Sequence, residues 1–336
     1  MRILSKAACR VDLAGGTLDI WPLYLYHANA VTVNFAITCH ASCVLETRAD
    51  RRIVLRSRDQ QGEQTFESLD AMRAAKRYKL PLPAFLLRFF TPACGLTIQT
   101  DSESPMGGGI AGSSSLIIAI ASALDRLTGG RRKLEELRLI CQNIEAQIIG
   151  VPTGAQDYYP AMYGGLNAIE LASDGIHRKR IPVDPEELNR RFVLAYTGVP
   201  RQSGINNWEV MKAYIDGDRR IRRNFDHIAA IAHAMRLALE RGDWETASRL
   251  LREEWDHRRR NAPGITTAFI DHLVKATRRA GAVGAKVCGA GGGGCVLFLV
   301  EPDARAAVSR VIEREGGQVL PVRLETRGVR VRVVSQ

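Results

Sequence analysis

The segment Pro105-Met106-Gly107-Gly108-Gly109-Ile110-Ala111-Gly112-Ser113-Ser114-Ser115 constrains this chain more than any other stretch. Its four glycines permit backbone conformations closed to other residues and let main-chain amides approach a ligand closely. Behind them, 113–127 is apolar nearly all round and rich in alanine, which predicts a buried helix. A glycine loop that feeds the N-terminus of such a helix is a cradle for anions, because unpaired amides and the helix dipole both favour negative charge there. The serines can cap the helix, or offer hydroxyls to a phosphate or a metal ion.

Four readings compete for this loop. A P-loop needs a lysine after its last glycine, and none follows Gly112. Gly107-x-Gly109-x-x-Gly112 matches the dinucleotide fingerprint literally. That motif, however, belongs in a first strand–helix–strand unit with an acid about twenty residues on, ending a second strand. Here the next acid, Asp125, falls inside the helix, and another helix follows. There remain a phosphate loop of a different fold and a glycine-rich turn with capping serines; the loop alone leaves both open.

A second constellation favours phosphate chemistry. Leu134, Leu137, Cys141, Ile144 and Ile148 recur at helical spacing from about Arg132, and Glu145 lies at the edge of that apolar stripe. Asp157 follows the glycine turn Gly150-Val151-Pro152-Thr153-Gly154. Two carboxylates in different settings suit a division of labour, one holding Mg²⁺ and the other positioning or deprotonating an attacking hydroxyl. Taken singly, Glu145 also reads as an idle boundary glutamate.

The rest of the chain reads as α+β. Strands are expected at 31–37, 42–47 and 53–57, a short helix at 84–90 and a strand at 95–100. After the two helices come strands at 165–171 and 177–181. Pro182 and Pro185 bracket a polar bend, which divides the chain into 1–184 and 185–336. The second half opens with a strand at 192–196. Helices follow at 205–214, 221–240, 244–255 and 267–280, and the chain closes as strand, glycine turn, strand, helix, strand, strand. At 336 residues, 46% apolar and 25% charged, the chain has the composition of a folded globular protein. Seven cysteines without a Cys-x-x-Cys pair predict free thiols in a reducing cytoplasm, and no apolar run suits a signal peptide or a membrane span. The net charge of +11 fits nucleic acid or phosphorylated ligands. Arg219, Arg220, Arg222 and Arg223, and 258–260, sit in helical segments with few aromatics, so they read as solvated basic faces and no nucleic-acid partner is expected.

With these motifs in view, the chain resembles the GHMP kinase superfamily, which includes galactokinase, homoserine kinase, mevalonate kinase and phosphomevalonate kinase. Arg10-Val11-Asp12-Leu13-Ala14-Gly15-Gly16-Thr17-Leu18-Asp19 resembles its N-terminal substrate motif, Pro105 to Ser115 its ATP loop, and Lys286-Val287-Cys288-Gly289-Ala290-Gly291-Gly292-Gly293-Gly294 its C-terminal glycine motif. The resemblance implies an N-terminal domain like ribosomal protein S5 domain 2, a ferredoxin-like C-terminal domain and a cleft between them. It makes Asp157 the base and Arg10 its partner. Gly15, Gly16, Thr17 and Asp19 would bind substrate. Pro105, Gly107, Gly108, Gly109, Ala111, Gly112, Ser113, Ser114, Gly291 and Gly292 would hold ATP, with Mg²⁺ on Ser113 and Glu145. Ile110-Ala111-Gly112 departs from the usual Leu-Gly-Ser, which makes Ser114 the alternate metal ligand. Gly15-Gly16-Thr17 replaces the galactokinase Glu-His pair and argues against galactose. Ala14-Gly15-Gly16-Thr17 and Gly154-Ala155-Gln156-Asp157 look instead like heptose 7-phosphate kinases and fucokinase-like members, which phosphorylate an anomeric hydroxyl. A fucose-like or mevalonate-like acceptor and a catalytically silent relative are the alternatives. Gly204-Ile205-Asn206-Asn207-Trp208 has no assigned place in that subgroup, and a homodimer is left open.

Overall fold

The computed structural model describes residues 1–130, 132–200 and 205–334. Gly204 and the Ile205 and Asn206 side chains lie outside that description. The chain opens with two long antiparallel strands, β1 (Arg2–Ala14) and β2 (Val31–Arg48). β3 (Ile53–Ser57) and β4 (Gly62–Phe66) make a hairpin, followed by helices α1 (Leu69–Ala74) and α2 (Pro81–Phe90). β5 (Gly95–Ser102) pairs antiparallel with the second half of β2 and parallel with β3. Next come α3 (Gly112–Leu127), α4 (Leu134–Ile149) and α5 (Tyr158–Tyr163). β6 (Leu166–Ala172) pairs with the first half of β2 and with β7 (Gly175–Ile181).

The second half begins with α6 (Pro185–Arg191), capped by Asp184, and β8 (Phe192–Tyr196). The helices α7 (Ile205–Ile215), α8 (Arg219–Glu240), α9 (Trp244–Arg258) and α10 (Ala268–Arg278) follow. Asp218, Asp243 and Thr267 each accept a first-turn amide, which satisfies donors that the starts of α8, α9 and α10 would otherwise leave unpaired. β9 (Ala282–Val287), β10 (Cys295–Val300), α11 (Arg305–Arg314) and β11 (Gln318–Leu320) complete an antiparallel sheet of order β11-β8-β10-β9. Counted within that half the order is 4-1-3-2, that of a ferredoxin-like unit, as expected.

Three differences from the sequence reading stand out. β1 is a strand that the residue pattern does not announce. Its odd positions Cys9, Val11 and Leu13 are apolar, but Arg10 and Asp12 break the usual pattern because their face is a polar interior instead of solvent. The strands expected at 31–37 and 42–47 are one continuous β2, with a register shift opposite Ala8 and Cys9 absorbing the irregular residues between them. Finally, β12 (Arg330–Val334) leaves the second half and pairs with β1, so the range 185–336 is not one unit: its last strand completes the first sheet. Alternation alone carries no information about which sheet a terminal strand joins.

The apolar clusters form layers. One lies between the first sheet and α2 to α5, and one joins the first sheet to α8, α9 and the inner face of the second sheet. A third packs α10 and α11 on the outer face of the second sheet. None of the seven cysteines is in a disulfide; six are buried and Cys94 is exposed. No helix among the described residues is long and apolar enough to cross a membrane.

Candidate active site

A cavity of about 410 Å³ opens between the two halves. Its floor is the polar face of β1. Residues two apart on a strand share a face, and no register shift intervenes between Arg10 and Asp12, so both side chains project together with Asn34 opposite on β2. Arg10 donates from Nε and Nη2 to Asp157 Oδ1 at 2.9 and 2.6 Å, and from Nη1 to the Gly109 carbonyl at 2.7 Å. It lies 3.6 Å from Asp12. Burial disfavours its charge, but Asp157 and Asp12 outweigh that and hold it above the ordinary arginine value. Both Arg10 bonds to Asp157 fall on Oδ1, leaving Oδ2 without a protein donor among the described residues.

The network continues into the second half. Lys286 Nζ donates to Asp12 Oδ2 at 2.5 Å and lies 3.5 Å from Glu254 Oε2, and all three side chains are buried. Glu254 in turn holds Arg258 through Nε and Nη2 at 2.7 and 2.5 Å. Burial opposes ionisation of Asp12, yet Lys286, Arg10 and Arg258 hold its carboxyl well below the usual range.

Above this floor runs the glycine loop. Gly108 N–H bonds to the Pro105 carbonyl at 2.9 Å, closing a turn that requires the positive φ of 62° found at Gly107. The serines do not cap α3. No side chain caps it; Ser115 Oγ donates to the Ala8 and Ala111 carbonyls at 2.7 and 2.8 Å, and Ala111 takes the N-cap place in a left-handed conformation. The first-turn amides therefore stay available beside the cavity that 111–114 line. Ser114 is buried and donates to Glu145 Oε2 at 3.0 Å; Ser113 is less deeply set, and its hydroxyl also acts on that carboxylate. Glu145 is buried, not at an edge, and Tyr158 donates to it at 2.5 Å. Burial nonetheless pushes its carboxyl above the usual range.

The far wall is the turn after β1. Asp19, 2% exposed, accepts Gln156 N–H at 2.8 Å, and its carboxyl is pushed up to about 6 by burial and then by Asp157. It lies directly over Gly154, where an added Cβ would come within 2.1 Å of Asp19 Oδ2. Gly154→Ala should therefore displace Asp19 without straining the backbone. The expected result is faster amide exchange at Gln156, whose N–H Asp19 accepts, with residues 105–115 as protected as in the unsubstituted chain; hydrogen exchange of the two segments checks it.

Of the residues singled out from sequence, Arg10, Gly16, Thr17, Asp19, Pro105, Gly107, Gly108, Gly109, Ala111, Gly112, Ser113, Ser114, Glu145 and Asp157 all line the cavity. Gly15 does not: its φ of 81° and the Val31 carbonyl, 2.2 Å from where a Cβ would sit, mark it as a turn position behind the cavity. Gly291 and Gly292 are also set back, against Ile265 and Gly264, while Gly289 and Ala290 reach the cavity. Cys295 N–H bonds to the Gly108 carbonyl at 2.7 Å, which joins the two glycine segments, and a Cβ added at Gly294 would come within 2.8 Å of the Gly107 and Gly108 carbonyls. The sequence reading missed Asp12, Glu254, Arg258 and Lys286. Arg219, Arg220, Arg222 and Arg223 are exposed as expected, but Arg258 is not part of a solvated face: it is 5% exposed and lines the cavity. The available signal was the four-residue spacing of Glu254 and Arg258 on a helix also carrying Leu250, Leu251 and Trp255 toward the interior.

The family model described as GHMP kinases N terminal domain matches residues 71–165, and GHMP kinases C terminal matches 235–318. The chain is 26% identical to D-glycero-alpha-D-manno-heptose 7-phosphate kinase of Campylobacter jejuni, covering 98% of each protein. It is 26% identical to mevalonate kinase of Thermococcus sibiricus over 72% of this chain and 71% of that protein. A D-glycero-D-manno-heptose 1-phosphate kinase structure from Bacteroides thetaiotaomicron superposes with a TM-score of 0.81 at 24% identity, over 99% of this chain and all of that one.

Proposed function

The chain belongs to the GHMP kinases, and from that premise we propose that it transfers the γ-phosphoryl group of ATP to the anomeric hydroxyl of D-glycero-D-manno-heptose 7-phosphate or a closely related sugar. The observation that carries this reading is the placement of Asp157. It is fixed through Oδ1 by Arg10, has Oδ2 free of protein donors among the described residues, and lines one cavity with both the phosphate cradle and Asp19. The substrate class is supported by the match over nearly the full length of a heptose 7-phosphate kinase.

In this reading the triphosphate lies on the amides of 107–114 and the sugar on Gly16, Thr17 and Asp19. Asp157 Oδ2 takes the proton of the acceptor hydroxyl, the resulting oxygen bonds to the γ-phosphorus, and the bond from that phosphorus to the bridging oxygen breaks to release ADP. Arg10, kept charged by Asp157 and Asp12, offsets negative charge as the phosphoryl group moves. Glu145, Ser114 and Ser113 would hold Mg²⁺, which would supply neutralisation of phosphate charge. The donors here fit it: hard oxygens from Glu145, Ser114 and Ser113, and a buried carboxylate that a cation would relieve. A cytoplasmic site of action belongs to the same reading. ADP release measured over a panel of aldoses and their terminal phosphates tests it, and turnover confined to alcohols that are not sugars would overturn the acceptor assignment.

Asp19 gives a pH signature. Its carboxyl titrates near 6 when folded against 3.8 unfolded, so between those values the folded state binds the extra proton and stability falls as pH rises. Above 6, keeping Asp19 ionised in its buried place costs about 3 kcal/mol at most, since each pH unit separating the folded and unfolded values is worth roughly 1.4 kcal/mol. Asp19→Asn should stabilise the protein by up to that amount at pH 7 and much less at pH 4, as read by urea midpoints. Acceptor kcat/KM of the wild type should decline below about pH 6, where the carboxylate that accepts the substrate hydroxyl is lost.

A further inference from the structure

Glu254 and Arg258 form the part of the charge network that phosphoryl transfer does not call on. Their spacing on α9 is that of an ordinary surface pair, which contributes little when solvated. Here the pair faces inward, with Glu254 fully buried and Arg258 lining the cavity. Beyond its two bonds to Glu254, Arg258 donates from Nη2 to the Gly16 carbonyl at 2.8 Å and from Nη1 to Thr17 Oγ1 at 3.3 Å. Thr17 has a φ of 74°, a left-handed conformation disfavoured for a β-branched residue. Its hydroxyl also donates to Asn207 Oδ1 at 3.2 Å, so α7 and α9 both grip this turn. Two residues on, the same turn carries Asp19.

The guanidinium has five hydrogens. Nε uses one, Nη2 uses two, and Thr17 takes one of the two on Nη1. Among the described residues lining the cavity, the cations are Arg10 and Arg258, and Arg10 is committed to Asp157. We propose that Arg258, held by Glu254 and backed by Lys286, positions the acceptor: it locks the Gly15–Asp19 turn and offers its remaining Nη1 hydrogen to an acceptor oxygen. The second half of the chain thus supplies a determinant of acceptor binding that acts separately from the nucleotide. The acceptor contact rests on the kinase reading above; the hold on the turn does not.

The test uses Arg258→Met, Arg258→Lys, Glu254→Gln and the Glu254→Gln/Arg258→Met double variant of the full chain. Arg258→Met should raise acceptor KM about 10- to 100-fold, the loss of a charged hydrogen bond donor, with ATP KM within about twofold of wild type; Arg258→Lys should fall between. The double variant should be no worse than Arg258→Met, because Glu254 acts through Arg258. Amide exchange of residues 16–19, measured without substrate, should quicken about tenfold or more in Arg258→Met while 105–115 stays as protected as in wild type. An unchanged acceptor KM in folded Arg258→Met, equal rises in both KM values, or unaltered exchange at 16–19 would overturn the proposal. If wild type turns over no sugar, the kinase reading fails, and the exchange result still decides whether Arg258 holds the turn.

Discussion

Asp157→Asn is expected to lower kcat by about 10²- to 10⁴-fold, the range of general-base removal, while ATP binding stays within about twofold of wild type. Asparagine keeps an oxygen where Arg10 donates, so the Arg10 contact can persist, and the other position becomes an amide nitrogen that cannot take a proton. The nucleotide contacts proposed for 107–114 and Glu145 come from other elements and are not disturbed. The side chain is a quarter exposed, so its loss removes no apolar packing. ATP affinity by calorimetry and single-turnover phosphoryl transfer together check this. A variant that turns over at the wild-type rate would remove Asp157 from the chemistry.

The largest stability effect should follow Lys286→Met. Lys286 is fully buried and bonds Asp12 while facing Glu254. Removing it leaves Asp12 with Arg10 at 3.6 Å as its nearest cation, and about 3–5 kcal/mol is typical for breaking one side of a buried pair. The pH dependence has a definite sign. In wild type the depressed Asp12 contributes stability above its unfolded value of 3.8, and this is lost only as pH falls through the still lower folded value. The variant forfeits that contribution, so its deficit should be greatest near neutrality and shrink in acid. Urea midpoints at pH 7 and at about pH 2.5, inside the window where that contribution is lost, measure both, and Asp12→Asn on the Lys286→Met background should recover part of the loss.

How much of this is legible from the residues alone divides along physical lines. The turn of the glycine loop and the helix behind it are readable because their requirements are local: glycines for the turn at Gly107 and an apolar run for α3. Asp157 and Glu145 are readable as candidates because Asp157 follows a glycine turn and Glu145 lies on a helix with its own periodicity, although the depth at which Glu145 is buried is not. Arg10 is assigned by resemblance, since a strand with charged residues on one face gives no periodic signal when that face looks into a polar interior. Glu254 and Lys286 cannot be located from spacing, because their partners lie far away in sequence and only packing of α9 and β9 beside β1 brings them together. For Arg258 the local reading, one of three adjacent arginines on a basic face, is misleading: Arg259 and Arg260 are exposed, and helix rotation alone turns Arg258 inward. The return of β12 to the first sheet is hidden for a similar reason, as strand partners are chosen by tertiary structure.

The central claim is that this cavity joins the γ-phosphoryl group of ATP to the anomeric oxygen of a sugar, and the most direct test is phosphorus NMR of the product formed from ATP and D-glycero-D-manno-heptose 7-phosphate. ADP is expected together with a second sugar phosphate resonance coupled to the anomeric proton. A new phosphate on any other carbon, or no sugar phosphate formed from any aldose or aldose phosphate while ATP binds, would contradict it.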